Sequence, residues 1–267
     1  MLKVEAAVAT HAGRVRTGNE DTVSYVRPKS SEAMSERGCL AVLADGMGGN
    51  SAGEIASALA CKLIDKEYFS IRGPAGEALK KAVELANKAI FERSIEEDDL
   101  HGMGTTVVSF AVVREKAWMA YVGDSRLYLI RDRHIYRMTE DHSVVFELVS
   151  RGLLTPEGAH NHPDRNVLSR ALGTKAQVEV SCWKEAFVVR TADRFLLCSD
   201  GLHDLVLDEE MLEIVCNNEA NIAVEKLIGM ANERGGHDNI SVILLSADEE
   251  DALSRSPMPT TREVILK

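Results

Sequence analysis

Four aspartates stand in four short stretches spread along the chain: Asp45 in ADGMGG, Asp124 in VGDSR, Asp200 in CSDGL and Asp238 in GGHDN. Each borders a run that reads as a β-strand, namely Cys39–Ala44, Ala117–Val122, Phe195–Ser199 and Ile240–Leu245. Asp-Gly and Gly-Asp are ordinary turn dipeptides, so any one of these residues alone reads as part of a loop. Jointly they read differently. A carboxylate at the edge of a packed core is costly without a positive partner, and strands that share a core can bring their ends together. The set is therefore read as one cation site. Carboxylate oxygens without thiolates or regularly spaced histidines suit a hard cation, Mg²⁺ or Mn²⁺ in preference to Zn²⁺. Two such ions ~3.5–4 Å apart share a water, lower its pKa and clamp a phosphate for in-line attack, a hydrolysis that needs no protein nucleophile.

Other hydrolytic patterns fail on spacing. GNSAG (Gly49 to Gly53) matches GxSxG, with Asp200 or Asp204 and then His237 downstream. A nucleophile elbow turns directly from strand to helix, whereas the six residues Asp45 to Asn50 separate Ser51 from its strand, and Ser51 is placed to cap the helix that follows. Gly-Lys never occurs, which removes a phosphate-binding GxxxxGK[ST] loop; no cysteine is followed six positions later by arginine, and no DxD pair occurs. Metal-activated water survives. A phosphate dianion also calls for a guanidinium with paired donors, and GRVRTGNED offers Arg14 and Arg16 close to Glu20 and Asp21. Taken alone, that stretch is a polar loop after the first strand.

These residues need a frame, and the chain can build one. With 267 residues, 45% of them hydrophobic, it makes one large domain or two small ones with a substantial core. A net charge of −11 argues against a nucleic-acid partner; the runs EEDD and DEED read as solvated surface. The five cysteines show no CxxC spacing and mostly sit in apolar stretches, so they read as inert free thiols in a reducing compartment. No apolar run approaches the ~20 residues that span a bilayer, and Lys3 and Glu5 interrupt the N-terminal apolar stretch, unlike a signal peptide; the expectation is a cytoplasmic protein without a membrane partner.

Strands are expected at Leu2–Thr10, Cys39–Ala44, Thr106–Val113, Ala117–Val122, Leu127–Arg131, His134–Met138, Val178–Trp183, Ala186–Arg190, Phe195–Ser199 and Ile240–Ser246. A helix after Ser51 carries the stripe Ala52, Ile55, Ala56, Leu59, Ala60, Leu63, and a second opens at Pro74 and buries Ala75 to Ile90. Further helices are expected at Val144–Arg151, Glu209–Cys216 and Ala220–Glu233. Asp141–Thr174 reads as a mobile insertion, and the residues after Asp248 as a disordered tail. Strands and helices come in blocks, which favours an α+β class over a doubly wound parallel sheet.

Assembled in order, VRTGNED, LADGMGG, GMGTT, YVGDSR, EDHS, HPDRNVLSRALG, CSDGL and GGHDNISVI resemble the metal-dependent protein phosphatase 2C family of serine/threonine phosphatases, and within it the stand-alone bacterial type, from about Val4 to Ser246. The resemblance implies a four-layer α-β-β-α sandwich with two central antiparallel sheets, a catalytic domain over residues 1–247 with a flap at about 141–174, and a tail at 248–267. It implies that Asp45 bridges two tight Mn²⁺ or Mg²⁺ ions, that Asp200 and Asp238 hold the first, and that the Gly46 carbonyl and, through water, Glu20 reach the second. Arg16 matches the phosphate-binding arginine, and Asp124 with Asp200 the ligands of a third, weaker ion.

The sequence departs from the family at two positions. Met47 and Asn50 stand where relatives carry histidine, which leaves the proton donor open among His142, His162, His203, His237 and metal-bound water. The implied activity is hydrolysis of phosphoserine and phosphothreonine in proteins by a monomeric enzyme opposing a bacterial serine/threonine kinase. The alternative is a non-catalytic binding module. Since Glu20, Asp45, Asp124, Asp200 and Asp238 are all present, the ligand set favours catalysis.

Overall fold

The computed structural model describes residues 2–48, 52–160, 162–249 and 264–265. Expectations that fall on Asn50, on Ser51 as a cap and on most of the tail lie outside the described residues.

Numbered in chain order, one sheet runs β13 (Val264–Ile265), β1 (Leu2–His11), β12 (Ile240–Glu249), β11 (Arg194–Cys198), β7 (Arg126–Arg131), β8 (His134–Arg137), antiparallel except for the β13–β1 pair. The other runs β10 (Phe187–Val188), β6 (Lys116–Val122), β5 (Val107–Val113), β3 (Cys39–Met47), β2 (Asp21–Val26), with β9 (Ser181–Cys182) on β6 and β4 (Gly104–Thr105) on β3. The helices are α1 (Ser31–Arg37), α2 (Ala52–Ser70), α3 (Ala75–Glu96), α4 (Val144–Ser150), α5 (Pro156–His160), α6 (Asp200–His203), α7 (Asp208–Asn217) and α8 (Ala220–Glu233).

The period-two geometry of strands explains the layers. Along β3, Leu40, Val42 and Ala44 pack on α2 and α3, while Cys39, Ala41 and Leu43 turn into the space between the sheets. Along β11 and β12, Phe195, Leu197, Ile243 and Leu245 meet them there, and Leu196, Cys198, Val242 and Leu244 face α7 and α8. Three cores thus separate four layers, and the expected α-β-β-α sandwich holds. Strands buried on both faces read as continuous apolar runs, which is what made them visible.

Several details differ from expectation. The strand from Cys39 does not stop at Ala44 but carries Asp45, Gly46 and Met47 along with it. On α2, Ile55, Leu59 and Leu63 are only partly buried, and the sheet is met by Ala52, Gly53, Ala56, Ala60, Ile64 and Tyr68. Small residues let the helix approach closely. The expected strands at 178–183 and 186–190 shrink to the two-residue pairings of β9 and β10. β2 and α1 arise in residues the sequence reading leaves unassigned, and the last long strand runs on through Asp248 and Glu249, paired with Lys3 and Leu2.

Candidate metal centre and active site

Strand direction gathers the site. β3 and β6 each pair antiparallel with β5, so they run the same way and end together; β11 and β12 are antiparallel neighbours, so the end of one meets the start of the other. Asp45 lies two residues before the end of β3, Asp124 in the crossing from β6 to β7, Asp200 at the first position of α6 after β11, and Asp238 just before β12. A cavity of about 380 Å³ opens at this end of the sandwich, lined by Arg16, Glu20, Asp45, Gly46, Asp124, Asp200 and Asp238. Arg14 does not line it. Thr106, Met47 and Gly48 complete the wall, and Asn166 and Leu168 close it from the segment expected as a flap.

Main-chain hydrogen bonds fix the carboxylates. The Asp45 amide donates to Thr106 Oγ1 at 3.1 Å, and its carbonyl accepts from Thr106 N and Thr105 Oγ1, both at 2.8 Å. Asn239 is a hub. Its side-chain oxygen accepts from Glu20 N at 2.8 Å, its Nδ2 donates to the carbonyls of Ala12 and Gly18, and its own amide donates to Asp238 Oδ1 at 2.8 Å. The loop of Arg16 and Glu20 is thereby tied to the loop of Asp238. Gly46 and Gly53 meet where no side chain fits: a Cβ on Gly46 would stand 2.2 Å from the Gly53 carbonyl, and one on Gly53 would stand 2.7 Å from Glu20 Oε2. Both must be glycine for α2 to reach the Glu20 carboxylate.

The electrostatics are those of a set of acids short of counter-charge. Burial, then the charges of Asp21, Asp200, Asp124 and Asp238, hold the Asp45 carboxyl well above the ordinary range. Asp200 is raised likewise, by burial and then by Asp124, Asp204 and Asp238. Burial also raises Glu20 and Asp124, against Arg16 in the first case and His203 in the second. Asp200 Oδ1 is buried with no hydrogen-bond partner among the described residues. Buried acids that lack donors and push one another's pKa upward call for cations, so the donor set fits Mn²⁺ or Mg²⁺. Among the described residues no three of these groups stand at the spacing of a shared ion. Like charges without a counter-ion do not close up, so the shared cavity and the orphaned oxygen carry the assignment. One cation is already at hand: Arg16 Nη2 donates to Asp238 Oδ2 at 2.7 Å.

The reading from sequence gave no role to Asp21, which is buried, pairs across the ladder with Asp45, accepts from Ser199 Oγ at 2.9 Å and is pushed by burial to about 6. None of the four candidate proton donors lines the cavity. His142 is buried against Tyr121 and the Gly123 main chain, His203 donates towards a main-chain carbonyl, and His162 and His237 lie on loops outside it. A larger, more open groove of about 700 Å³ lies between α7 and α8, lined by Glu210, Glu213 and Glu233 and by Lys226, in the stretch of chain that joins Asp200 to Asp238. It gathers no orphaned acid, so size does not mark the site here.

Comparison with known proteins agrees. The protein phosphatase 2C family matches residues 19–232. The serine/threonine phosphatase stp of Listeria monocytogenes serotype 4b (strain F2365) is 38% identical over 251 residues, covering 92% of this chain and 96% of its own. The crystal structure of the Mycobacterium tuberculosis serine/threonine phosphatase PstP/Ppp superposes with a TM-score of 0.82 at 36% identity, over 92% of this chain and 99% of that one. That of the PstP catalytic domain in complex with two manganese ions gives 0.81 at 35% identity, over 93% and 100%. This chain belongs to the protein phosphatase 2C family.

Proposed function

We propose that this protein is a metal-dependent phosphatase that removes phosphate from phosphorylated serine and threonine side chains of other proteins. The observation that carries the reading is the convergence of Glu20, Asp45, Asp124, Asp200, Asp238 and Arg16 on one cavity. Asp45, Asp200 and Asp238, with Glu20 and the main-chain carbonyl of Gly46, would hold two Mn²⁺ or Mg²⁺ ions, and Asp124 with Asp200 a third. When bound, the ions supply Lewis-acid polarisation of the phosphoryl group and a water acidified to act as nucleophile. The chain's own contribution is to bind and orient. Arg16 is 53% exposed and held by one exposed ion pair, so its guanidinium is free to exchange Asp238 for a phosphate dianion. Thr106 and Asn239 hold the strand and loop termini still while it does so.

Residues 1–247 form the catalytic domain, with 141–174 as its flap. The protein opposes a bacterial serine/threonine kinase in the cytoplasm and acts as a monomer. No helix among the described residues is long and apolar enough to cross a membrane. Phosphate release from a phosphothreonine peptide, with Mn²⁺ and with excess EDTA, tests the reading. Release only with the metal is expected; undiminished release in EDTA, or none with Mn²⁺, would sink it.

A further inference from the structure

Asp124 sits in a loop whose main chain is gripped from two sides by histidines that stand outside the cavity. The first grip is reciprocal: the Gly123 amide donates to His142 Nδ1 at 3.0 Å, and the His142 amide donates to the Gly123 carbonyl at 3.0 Å. Because Nδ1 accepts, the ring proton is on Nε2, which faces Ser181 Oγ at 3.0 Å. The ring is further fixed by stacking on Tyr121, centroids 4.9 Å apart and planes at 12°. The second grip is on the next residue. His203, at the end of the helix that begins with Asp200, presents Nε2 to the Asp124 carbonyl at 3.2 Å. Gly123 itself has φ +110°, and a Cβ there would stand 2.5 Å from Thr106 Cβ, so no side chain fits at this point of the loop.

We propose that His142 and His203 are positioning residues for Asp124 and not proton donors. Between them they take both polar groups of Gly123 and the carbonyl of Asp124, which fixes the backbone from which the Asp124 side chain reaches the cavity. The clamp also couples that carboxylate to the flap. His142 is the residue at which the flap leaves the body: its carbonyl accepts from Ser169 N at 2.8 Å, and the neighbouring Ser143 bridges Leu168, so the outgoing and returning segments of the flap meet at this histidine. Leu168 lines the cavity. A movement of the flap root is thus transmitted to Asp124 through Gly123. Outer-sphere hydrogen bonds of this kind set ligand orientation and typically shift metal affinity about 10- to 100-fold when lost.

The proposal rests on the reading of Asp124 as ligand of a weaker third ion, and the two nitrogens that grip the loop allow an atomic test. At position 142 the gripping atom is Nδ1, which an asparagine Oδ1 replaces in place and a glutamine does not; at 203 it is Nε2, which a glutamine Nε2 replaces and an asparagine does not reach. Calorimetric Mn²⁺ titration of the full chain should show tight sites and a weaker one, the weaker one absent in Asp124→Asn. His142→Gln and His203→Asn should weaken that site about tenfold with the tight sites unmoved, while His142→Asn and His203→Gln stay within about threefold of wild type. Equal behaviour of the two variants at each position, or a wild-type weak site in all four, overturns the clamp. A wild-type protein that binds no Mn²⁺ overturns the phosphatase reading instead. A measurement on the unaltered, metal-free chain stands even where a variant fails to fold: ¹⁵N spectra should show His142 protonated at Nε2 and bare at Nδ1, with the Gly123 amide among the slowly exchanging ones. A proton on Nδ1 or a fast-exchanging Gly123 amide would refute the grip.

Discussion

Two buried acidic clusters lie side by side at one end of the sandwich, and they are built on opposite plans. Around Asp141, Arg126 donates through Nε at 3.1 Å and Nη2 at 2.7 Å, and Arg137 adds a second guanidinium. Burial by itself would raise the Asp141 carboxyl, but the hydrogen bonds and charge of Arg126 outweigh it and hold the group below its usual range. Around Asp45 the partners are Asp21, Asp200, Asp124 and Asp238, and the carboxyl is driven upward. The difference separates a carboxylate that holds the protein together from one that the protein holds in readiness. The first is satisfied within the chain; the second is satisfied only by something added.

The widest break between the two comes from removing one charge from each. Asp45→Asn should abolish turnover, by about three decades or more, because cation stabilisation of a phosphoryl transition state amounts to several kcal/mol. In EDTA the same variant should be more stable than wild type by about 1 kcal/mol, since a repelled buried acid has been neutralised. Asp141→Asn should do the reverse, losing about 3 kcal/mol by leaving Arg126 buried and unpaired while activity of the folded protein stays within about tenfold. Urea unfolding in EDTA alongside steady-state kinetics reads both. Loss of stability in both variants would erase the distinction.

Acid stability sharpens the same contrast. For groups whose folded pKa is raised, the folded state binds more protons than the unfolded one, so stability falls as pH rises from the unfolded value near 3.8 through the folded value. The penalty is absent below that window and complete above it. Asp65 provides a control outside the site: Ser24 Oγ donates to both of its oxygens, at 2.9 and 2.8 Å, yet burial moves it to about 6. That shift corresponds to a loss on the order of 3 kcal/mol between about pH 4 and 6. Unfolding midpoints measured from pH 4 to 7.5 should lose this portion in Asp65→Asn with or without Mn²⁺, whereas Mn²⁺ alone should remove the portion contributed by Asp45 and Asp200. An Asp65→Asn variant whose pH dependence over that range matches that of the metal-free wild type would contradict the raised value.

Much of the frame was legible because its strands are buried on both faces, and a run such as Ile240–Leu245 announces itself without periodicity. What escaped was either short or paid for its position through distant partners. β2 reads as polar, yet Val23 and Tyr25 turn into the inter-sheet core while Thr22 and Ser24 hydrogen-bond to Ser57 and Asp65 of α2. That alternation is present in the sequence and marks the strand in retrospect. Nothing comparable marks α6, whose four residues are too few for a helical stripe. The site motifs stood out by residue type at strand ends, but the histidines among them did not disclose their work. Whether an imidazole offers a nitrogen to a main-chain amide, as His142 does, depends on a fold that brings residues 123 and 142 together.

Arg16 and Arg14 extend the comparison to the rim of the cavity. Arg16 lines it and pairs with Asp238; Arg14 meets the neighbouring loop through its main-chain amide, which donates to the Gly236 carbonyl at 2.6 Å. Arg16→Ala should lower kcat/KM on a phosphopeptide by one to two decades, as expected for a charge-assisted bond of roughly 1.5–3 kcal/mol. Its effect on stability should be under about 1 kcal/mol, because an exposed ion pair contributes little. Arg14→Ala should stay within about twofold on both counts. Equal losses in the two variants would leave the assignment of the phosphate to Arg16 without support.

The smallest effect is expected where the interior contains reactive atoms that the site does not use. Cys39, Cys61 and Cys198 are buried in the sheets and in α2, and burial raises all three thiols, Cys61 well above its usual value and Cys198 to about 12. A thiol that stays protonated at neutral pH is neither a nucleophile nor a metal ligand. Cys182 and Cys216 are partly exposed, on β9 and α7. Thiol reagents should therefore label those two in the folded protein and reach the other three only on unfolding. A variant with alanine at all five positions should keep its Mn²⁺-dependent turnover within about twofold, although vacated core volume should lower its unfolding midpoint. The outcome that would count against an all-oxygen site is specific: a folded cysteine-free protein with its thermal transition intact but its phosphatase activity gone would place a sulfur in the chemistry and reopen the choice of a hard cation.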